Sequence, residues 1–178
     1  KHKLHMKDSK SKNDHKNKDI IIEPSAGGGS FIESIKSICE NYKFYDIAPE
    51  HSEIIKKDYL TTDLSQYSRK IHVIGNPPFG RQSSLAIKFI KHSCKYCESI
   101  SFILPKSFKK DSLKKKIPLN FHCIHESDVP VNSFEINQTD HNVHCIFQIW
   151  IKRDFNREVP PILKPNGYKF VKKNENHD

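Results

Sequence analysis

Three consecutive glycines, Gly27 to Gly29, lie between an apolar run and a helical pattern near the start of the chain. The run, residues 20–22, is all isoleucine and ends in Glu23, Pro24 and Ser25. β-Branched runs favour strands, and glycine clusters favour tight loops. Apolar residues then recur at helical spacing, at Phe31, Ile32, Ile35 and Ile38. The segment therefore predicts a strand, a glycine loop and a helix.

The chain then repeats this alternation of strand and helix. Residues 71–75 form a β-branched run that stops at Asn76 and two prolines, because proline cannot donate to a ladder. Further strand patterns occupy residues 43–46, 54–58 and 100–104. A helix is expected between residues 84 and 98, with an apolar face at Leu85, Ala86, Phe89 and Ile90. Such alternation predicts a doubly wound α/β domain, with a mostly parallel sheet covered on both faces.

The ends of the chain differ from its middle. Residues 121–125 and 143–152 are two further strand patterns, which we expect to form an antiparallel hairpin at one end of the sheet. Residues 19–153 are thus expected to form one folded domain. Residues 1–18 are almost all Lys, His, Asp, Ser and Asn, and predict a flexible basic arm. Residues 154–178 predict a polar tail that stops short of a natural boundary.

The charge and the cysteine content of the chain indicate its binding partners and its cellular compartment. The chain has 30 Lys and Arg against 21 Asp and Glu, a net charge of +9. This balance favours polyanions such as nucleic acid, although a soluble basic surface explains it equally well. No apolar run approaches the roughly 18 residues of a membrane span, so no membrane insertion is expected. The five cysteines predict reduced core thiols and an intracellular, reducing compartment, cytoplasm or nucleus. Cys94 and Cys97 lack a second pair, so no metal is expected.

The glycine loop and Asp46 predict a ligand site. Glycine lets the backbone approach a ligand closely, and the start of the following helix offers free amide donors. Tight packing alone would explain the glycines as well. Asp46 ends the next strand pattern, beside the loop, where a carboxylate can accept both hydroxyls of a ribose. A solvated turn aspartate is the alternative.

The turn from Asn76 to Phe79 is the sharper signal. Its prolines carry no N–H, so the turn presents bare carbonyl oxygens, and the Asn76 side chain adds another acceptor. Two acceptors suit an amine that donates two protons. The Phe79 ring can stack on a planar base that is turned out of its helix. A plain Pro-Pro turn with a buried phenylalanine is the alternative.

Residues 23–31 and 76–79 resemble the first and fourth motifs of the class I amino-methyltransferases that act on nucleic-acid bases. The similarity runs from about Asp19 to Arg153, in the motif order of the gamma class of adenine methyltransferases. The resemblance implies a Rossmann-like fold with a seven-stranded sheet that ends in an antiparallel hairpin. It also implies S-adenosyl-L-methionine as cofactor, and methyl transfer to an exocyclic amine, most of all adenine N6 in DNA or RNA.

The resemblance assigns roles to individual residues. The first motif would cradle the methionine part of the cofactor, Asp46 would bind its ribose, and Asp58 and Tyr59 its adenine. In the N-P-P-F turn, Asn76 and the Pro77 carbonyl would grip the target amine and Phe79 would stack on the base. The implied catalytic residues are Asn76, Pro77, Pro78 and Phe79. The implied cofactor-binding residues are Glu23, Pro24, Ser25, Ala26, Gly27, Gly29, Phe31, Asp46, Ile47, Asp58, Tyr59 and Asn76.

Substrate contacts are expected around this turn. Arg81 follows it, and residues 80–84 either line the substrate entrance or begin the next helix. Lys106 and Phe108 lie just beyond Pro105 at the same sheet edge, and we expect both to contact substrate together with Phe79 and Arg81. The lysine cluster within residues 106–116 would neutralise phosphates or form a solvated loop.

Two features of the resembled enzymes are not visible in the sequence. Residues 1–18 lack the aromatic-Thr/Ser-Pro segment that helps to hold the cofactor, and no large target-recognition domain follows residue 153. We therefore expect a protein partner, the tails or a further segment to supply target recognition. Two other functions stay open: methylation of a protein glutamine, and a noncatalytic subunit that binds nucleic acid for an active mate.

Overall fold

The computed structural model describes residues 19–130, 135–136, 139–140, 144–161 and 166–167. The predicted arm, residues 1–18, lies outside these ranges, as do residues 162–165 and 168–178 of the predicted tail. The strands are β1 (Asp19–Glu23), β2 (Tyr42–Asp46), β3 (Ile55–Lys56), β4 (Lys70–Gly75), β5 (Ser99–Pro105), β6 (Phe121–Asp128), β7 (Glu135–Ile136), β8 (Thr139–Asp140) and β9 (Cys145–Lys152). The helices are α1 (Ile32–Ile38), α2 (Ser84–Ser93) and α3 (Asp111–Lys114), with 3-10 turns at Tyr59–Thr61, Arg81–Ser83 and Lys106–Lys109.

Seven strands form one sheet in the order β3-β2-β1-β4-β5-β9-β6. The first five strands pair in parallel, and β9 runs antiparallel to both of its neighbours, β5 and β6. The predicted α/β architecture, with an antiparallel pair of strands at one end, is confirmed. Parallel pairing brings the carboxyl ends of β1, β2 and β4 to one edge, and the loops that follow these strands build the site described below.

Both faces of the sheet are buried, and β1 illustrates how. Ile20 and Ile22 belong to the core cluster beneath α2, whereas Ile21 belongs to the cluster that contains Ile32 and Ile35 of α1. Successive side chains of a strand point to opposite faces, so a strand covered on both sides must be apolar at every position. The unbroken isoleucine run is the sequence signature of this arrangement.

The antiparallel end of the sheet is more elaborate than predicted. β9 lies between β5 and β6, with Cys145 opposite Pro105 and Lys152 opposite Phe121. It begins at Cys145, and Val143, where the strand was expected to start, lies outside the described residues. The connection from β6 to β9 contains β7 and β8, a separate antiparallel ladder. Neither was predicted, because strands of two residues show no periodicity.

All five cysteines are free thiols. Burial raises the pKa of Cys94 to about 12 and also raises the pKa of Cys97. Metals bind the thiolate, which a raised pKa disfavours. Within the described ranges, no group of three or more His, Cys, Asp or Glu side chains is placed to hold a metal ion. None of the helices in those ranges is long and apolar enough to cross a membrane.

Arg157 anchors the segment that follows β9. Its guanidinium donates hydrogen bonds of 2.6–2.9 Å to four main-chain carbonyls, and it lies 5.3 Å from the centre of the Trp150 ring. The sequence placed this residue in a polar tail. The four carbonyls belong to Lys114, Ile117, Pro118 and Phe121.

Candidate active site

The glycine loop after β1 is shaped by backbone contacts. Ala26 N donates to Tyr45 O at 2.9 Å, and Gly29 N donates to Ala26 O at 2.7 Å. Gly27 and Gly29 have φ values of +51° and +85°. A Cβ on Gly29 would come within 2.6 Å of Ile32 Cδ1. The positive φ favours glycine at Gly29, and a larger residue there would also require the Ile32 side chain to move.

Asp46 joins this loop to the end of β2. Its Oδ2 accepts a hydrogen bond from Gly27 N at 2.8 Å, and its Oδ1 accepts one from Ala48 N at 2.8 Å. An ionised carboxylate has about four acceptor positions. Two acceptor positions therefore remain for a ligand, which is the number that a ribose diol requires.

Glu23, the last residue of β1, is a buried acid without a partner for one of its oxygens. Its side chain is 2% exposed, and Oε2 has no hydrogen-bond partner among the described residues. Burial, with a smaller contribution from the negative charge of Asp46, raises the pKa of Glu23 to about 7. Buried acceptors normally find a donor. A ligand cation or amide is therefore the natural partner for this oxygen.

The turn after β3 forms a second wall. Asp58 Oδ1 accepts from Leu60 N at 2.9 Å and so fixes the 3-10 turn that begins at Tyr59. The Tyr59 hydroxyl lies 2.8 Å from Ser93 Oγ, and its ring stacks on Phe89 with centroids 5.6 Å apart. The tyrosine is 1% exposed, and this burial raises its pKa. The result is a rigid aromatic wall beside an exposed carboxylate.

The N-P-P-F turn leaves β4 at the same edge. Asn76 O accepts from Ser25 Oγ at 3.2 Å, so the turn is tied to the loop after β1. The side-chain oxygen, Asn76 Oδ1, is buried and has no partner among the residues that the structure describes. Pro77 is buried and Pro78 is exposed. Phe79 is half-buried and packs against the core cluster beneath α2.

These elements surround a cavity of about 440 Å³. It lies between the ends of β1 and β4, where the strand order reverses direction. In open α/β sheets this reversal is the position at which ligands bind. The volume falls within the range of small-molecule sites. The lining residues are Pro24, Ser25, Asp46, Ile47, Asp58, Tyr59, Leu60, Asn76, Pro78, Leu85 and Phe89.

Most of the predicted cofactor residues thus meet in one place. Glu23, Ala26, Gly27, Gly29 and Phe31 are not among its lining residues. Ala26 and Phe31 pack in the cluster on the α1 side of the sheet. Leu60, Leu85 and Phe89 line it and were not predicted as site residues. The apolar pattern of α2 identified Leu85 and Phe89 as a helix face, but a pattern does not reveal which part of that face borders a cavity.

The residues that were predicted to contact substrate differ in their exposure to solvent. Arg81 is exposed beside the turn. Lys106 is exposed, and its Nζ lies 3.7 Å from Asp128 Oδ1, which Lys109 also contacts at 2.9 Å. Phe108 was predicted to contact substrate. This prediction is wrong, because its side chain is 0% exposed and lies in the core. The 3-10 turn after β5 directs the ring inward, so that it packs rather than offering a surface to substrate.

Solved structures share this architecture. An RNA methyltransferase candidate from Pyrococcus horikoshii aligns with a TM-score of 0.56 at 13% identity, over 78% of this chain and 76% of its own. The 23S rRNA methyltransferase ErmE aligns with a TM-score of 0.55 at 13% identity, over 79% of this chain and 64% of its own. This chain has a methyltransferase fold. It spans less than two thirds of the length of ErmE.

A third protein of this fold has been solved both without and with a ligand. The N-methyltransferase NodS from Bradyrhizobium japonicum aligns with a TM-score of 0.54 at 9% identity, over 79% of this chain and 89% of its own. NodS has also been solved with S-adenosyl-L-homocysteine. No protein-family model and no curated protein matches the sequence.

Proposed function

We propose that this chain transfers a methyl group from S-adenosyl-L-methionine to an exocyclic amine of a nucleic-acid base, with adenine N6 as the main target. The observation that carries the proposal is the Asn76 side-chain oxygen, a buried acceptor with no partner among the described residues, at the wall of the cavity. An unpaired buried acceptor is costly unless a ligand supplies the donor. An amino group is a donor of the required kind.

The residues around the cavity suit this cofactor. Asp46 retains acceptor positions for a ribose diol, and Asp58 and the Tyr59 wall suit an adenine. Glu23 precedes the lining residue Pro24, and its unpartnered oxygen suits an ammonium group. The glycine loop is tied to Asp46, a lining residue of the cavity, through the Gly27 amide. When bound, the cofactor supplies a methyl group activated by its sulfonium. The relation to the SAH-bound NodS fold supports this choice of cofactor.

The N-P-P-F turn would make a poor nucleophile reactive. The lone pair of an aromatic amine is delocalised into its ring. Acceptors on both amine protons, Asn76 Oδ1 and the Pro77 carbonyl, favour a pyramidal nitrogen and stabilise the positive charge that develops on it. The Ser25–Asn76 hydrogen bond fixes the turn relative to the cofactor side of the cavity, which favours in-line alignment.

Nucleic acid is the substrate class that charge and aromatic content favour. The net charge of +9 attracts phosphates. Phe79 can stack on a base that has left its helix, and enzymes that modify bases require such exposure. The names of two structural neighbours, an RNA methyltransferase candidate and a 23S rRNA methyltransferase, agree with this class. We further propose that a protein partner or a segment beyond the described residues supplies target recognition, and that the protein works in an intracellular, reducing compartment.

Two rival functions make different predictions. A protein glutamine also presents an NH2 group to such a turn, but the basic charge favours a polyanionic acceptor. A noncatalytic subunit would bind nucleic acid without transferring methyl groups. An unpaired buried acceptor at Asn76 is a disadvantage in a protein that never binds an amine, which favours catalysis.

The test combines binding with transfer. S-adenosyl-L-methionine and S-adenosyl-L-homocysteine are titrated calorimetrically into the protein, and radiolabelled methyl transfer is then measured on DNA, RNA and glutamine-containing peptides. The proposal expects binding of both ligands and label in N6-methyladenine. Label only on glutamine would support the first rival, and binding without transfer to any acceptor, with or without cell extract as a source of partner, would support the second. No binding of either ligand would contradict the proposed cofactor.

A further inference from the structure

The loop directly after the N-P-P-F turn has an unusual backbone. Gln82 and Ser83 have φ values of +52° and +60°, and no other non-glycine residue in the described ranges has a positive φ. Side chains other than glycine are disfavoured there because Cβ crowds the backbone. Conformations of this kind persist where the surrounding structure imposes them, and they cluster at functional sites.

The surrounding structure holds this loop at both ends. At its start, Gly80 has a φ of +66°, and a Cβ there would come within 2.8 Å of Leu85 Cβ. At its end, Ser83 is 7% exposed, and its amide donates to Gly80 O at 3.2 Å. Phe79 O also accepts from Leu85 N at 3.1 Å. The loop is therefore closed tightly onto the first turn of α2.

Two side chains remain exposed on this closed loop, Arg81 and Gln82. Arg81 forms no ion pair with any residue in the described part of the chain. The residues that bracket the loop, Pro78 and Leu85, both line the cavity. Arg81 and Gln82 thus belong to a short, tightly closed loop whose two flanking residues line the cavity.

We propose that Gln82 is a specificity-determining residue, which reads a base next to the methylated one while Arg81 contacts a neighbouring phosphate. This inference rests on the proposed function. A glutamine amide carries both a donor and an acceptor, so it can pair with a base edge, and adenine is the base that it fits best. Arginine binds phosphate through a charged fork and carries no base preference.

The backbone conformation gives a clean test, because glycine adopts a positive φ without strain. If Gln82 only closes the loop, Gln82→Gly preserves the loop and its function. If the amide reads a base, Gln82→Gly keeps fold and cofactor binding but loses the preference. The matched control is Gln66→Gly. Gln66 is an exposed glutamine that precedes β4. β4 begins at the end of the parallel strands that lies opposite the cavity.

The probes are short single-stranded DNA and RNA oligonucleotides with one adenine target and varied neighbours. For each neighbour, kcat/KM of methyl transfer is measured in wild type, Gln82→Gly and Gln66→Gly, with calorimetric cofactor affinity and thermal unfolding alongside. In wild type and Gln66→Gly, we expect kcat/KM to differ by about tenfold between the best and the worst neighbouring base. In Gln82→Gly this difference should disappear, while cofactor affinity stays unchanged. Arg81→Ala should weaken the binding of all oligonucleotides alike. Lys91→Ala removes the same charge further along α2 and should leave this binding unchanged.

Each result has a definite meaning. A preference that survives in Gln82→Gly overturns the role of Gln82, as does a wild type that shows no neighbour preference. A wild type that transfers no methyl group to any oligonucleotide contradicts the proposed function itself, and is recognised before any variant is compared.

Discussion

Asp46 holds the amide of Gly27 at 2.8 Å, so one carboxylate fixes the glycine loop and faces the cavity at the same time. Asp46→Ala removes this contact together with the acceptor positions left for a ribose. We expect cofactor affinity to fall by about tenfold or more, since a hydrogen bond to a charged group contributes roughly 1.5–3 kcal/mol. Calorimetric titration measures the change. Asp63→Ala is the control, because Asp63 also caps a turn but does not line the cavity; equal affinities in both variants would remove Asp46 from the site.

Substitution of Asn76 should reduce methyl transfer without reducing cofactor affinity. Its Oδ1 has no partner among the described residues, so Asn76→Ala breaks no hydrogen bond of that atom. Thermal stability and cofactor affinity should stay near wild type. Methyl transfer should fall by about a hundredfold or more, which is the effect of removing one group that stabilises transition-state charge. Parallel calorimetry and single-turnover assays check both halves, and a parallel loss of affinity and rate would contradict the assignment.

Glu23 should make stability depend on pH. Its pKa is about 7 in the folded chain against 4.5 for an unperturbed glutamate. The folded state therefore holds the proton more tightly than the unfolded state, and stability falls as pH rises from 4.5 to about 7. The loss amounts to about 3 kcal/mol. Urea unfolding without cofactor, between about pH 5 and pH 8, should show this decline in wild type and a flatter profile in Glu23→Gln.

A second variant identifies the cause of that shift. The negative charge of Asp46 contributes to the raised pKa of Glu23, after burial. Asp46→Asn should therefore lower the pKa of Glu23 and reduce, without abolishing, the decline in stability. If Glu23→Gln and wild type lose stability in parallel as the pH rises, the folded chain does not hold this proton.

Asp128 should restrain binding of nucleic acid. Its carboxylate contacts Lys109 at 2.9 Å and Lys106 at 3.7 Å, and the Lys109 hydrogen bond lowers the pKa of Asp128. Asp128→Asn frees both lysines to bind phosphates. Affinity for single-stranded DNA or RNA should rise, and the logarithmic salt slope should steepen by about 0.7 for each lysine that gains a phosphate, about 1.4 for both. Fluorescence anisotropy across a salt series tests this, with Asp154→Asn as a control of equal charge; identical slopes would exclude the lysines from the phosphate path.

The sequence predicted the fold through features that are local. The isoleucine run of β1, the glycine loop and the prolines after β4 each determine backbone conformation within a few residues. Asp46 and Asn76 could both be placed at the carboxyl edge of the sheet because parallel strands end at a common edge. The structure adds the Gly27–Asp46 and Ser25–Asn76 hydrogen bonds, which depend on distances that no pattern specifies.

Other features depend on the tertiary structure. Phe108 follows a strand at the site edge, but its 3-10 turn carries the ring into the core. Gln82 was one of several polar residues after the turn, and the combination of a positive φ with an exposed side chain distinguishes it. Arg157 lies beyond the predicted domain end at residue 153, in a stretch whose polar composition gave no sign of packing.

Arg157 should be essential for stability although it is remote from the cavity. Its guanidinium satisfies four carbonyls, and lysine cannot reproduce that fork. Arg157→Lys should lower the free energy of unfolding by about 2–4 kcal/mol, because four charge-assisted hydrogen bonds are lost, although Lys114 O and Pro118 O keep a backbone donor. Urea unfolding measures this, and exposed Arg153→Lys should change it by less than about 0.5 kcal/mol. Removal of all residues after 153 should be at least as destabilising as Arg157→Lys. If both changes leave the unfolding curve unaltered, water replaces the guanidinium and the predicted boundary at residue 153 stands.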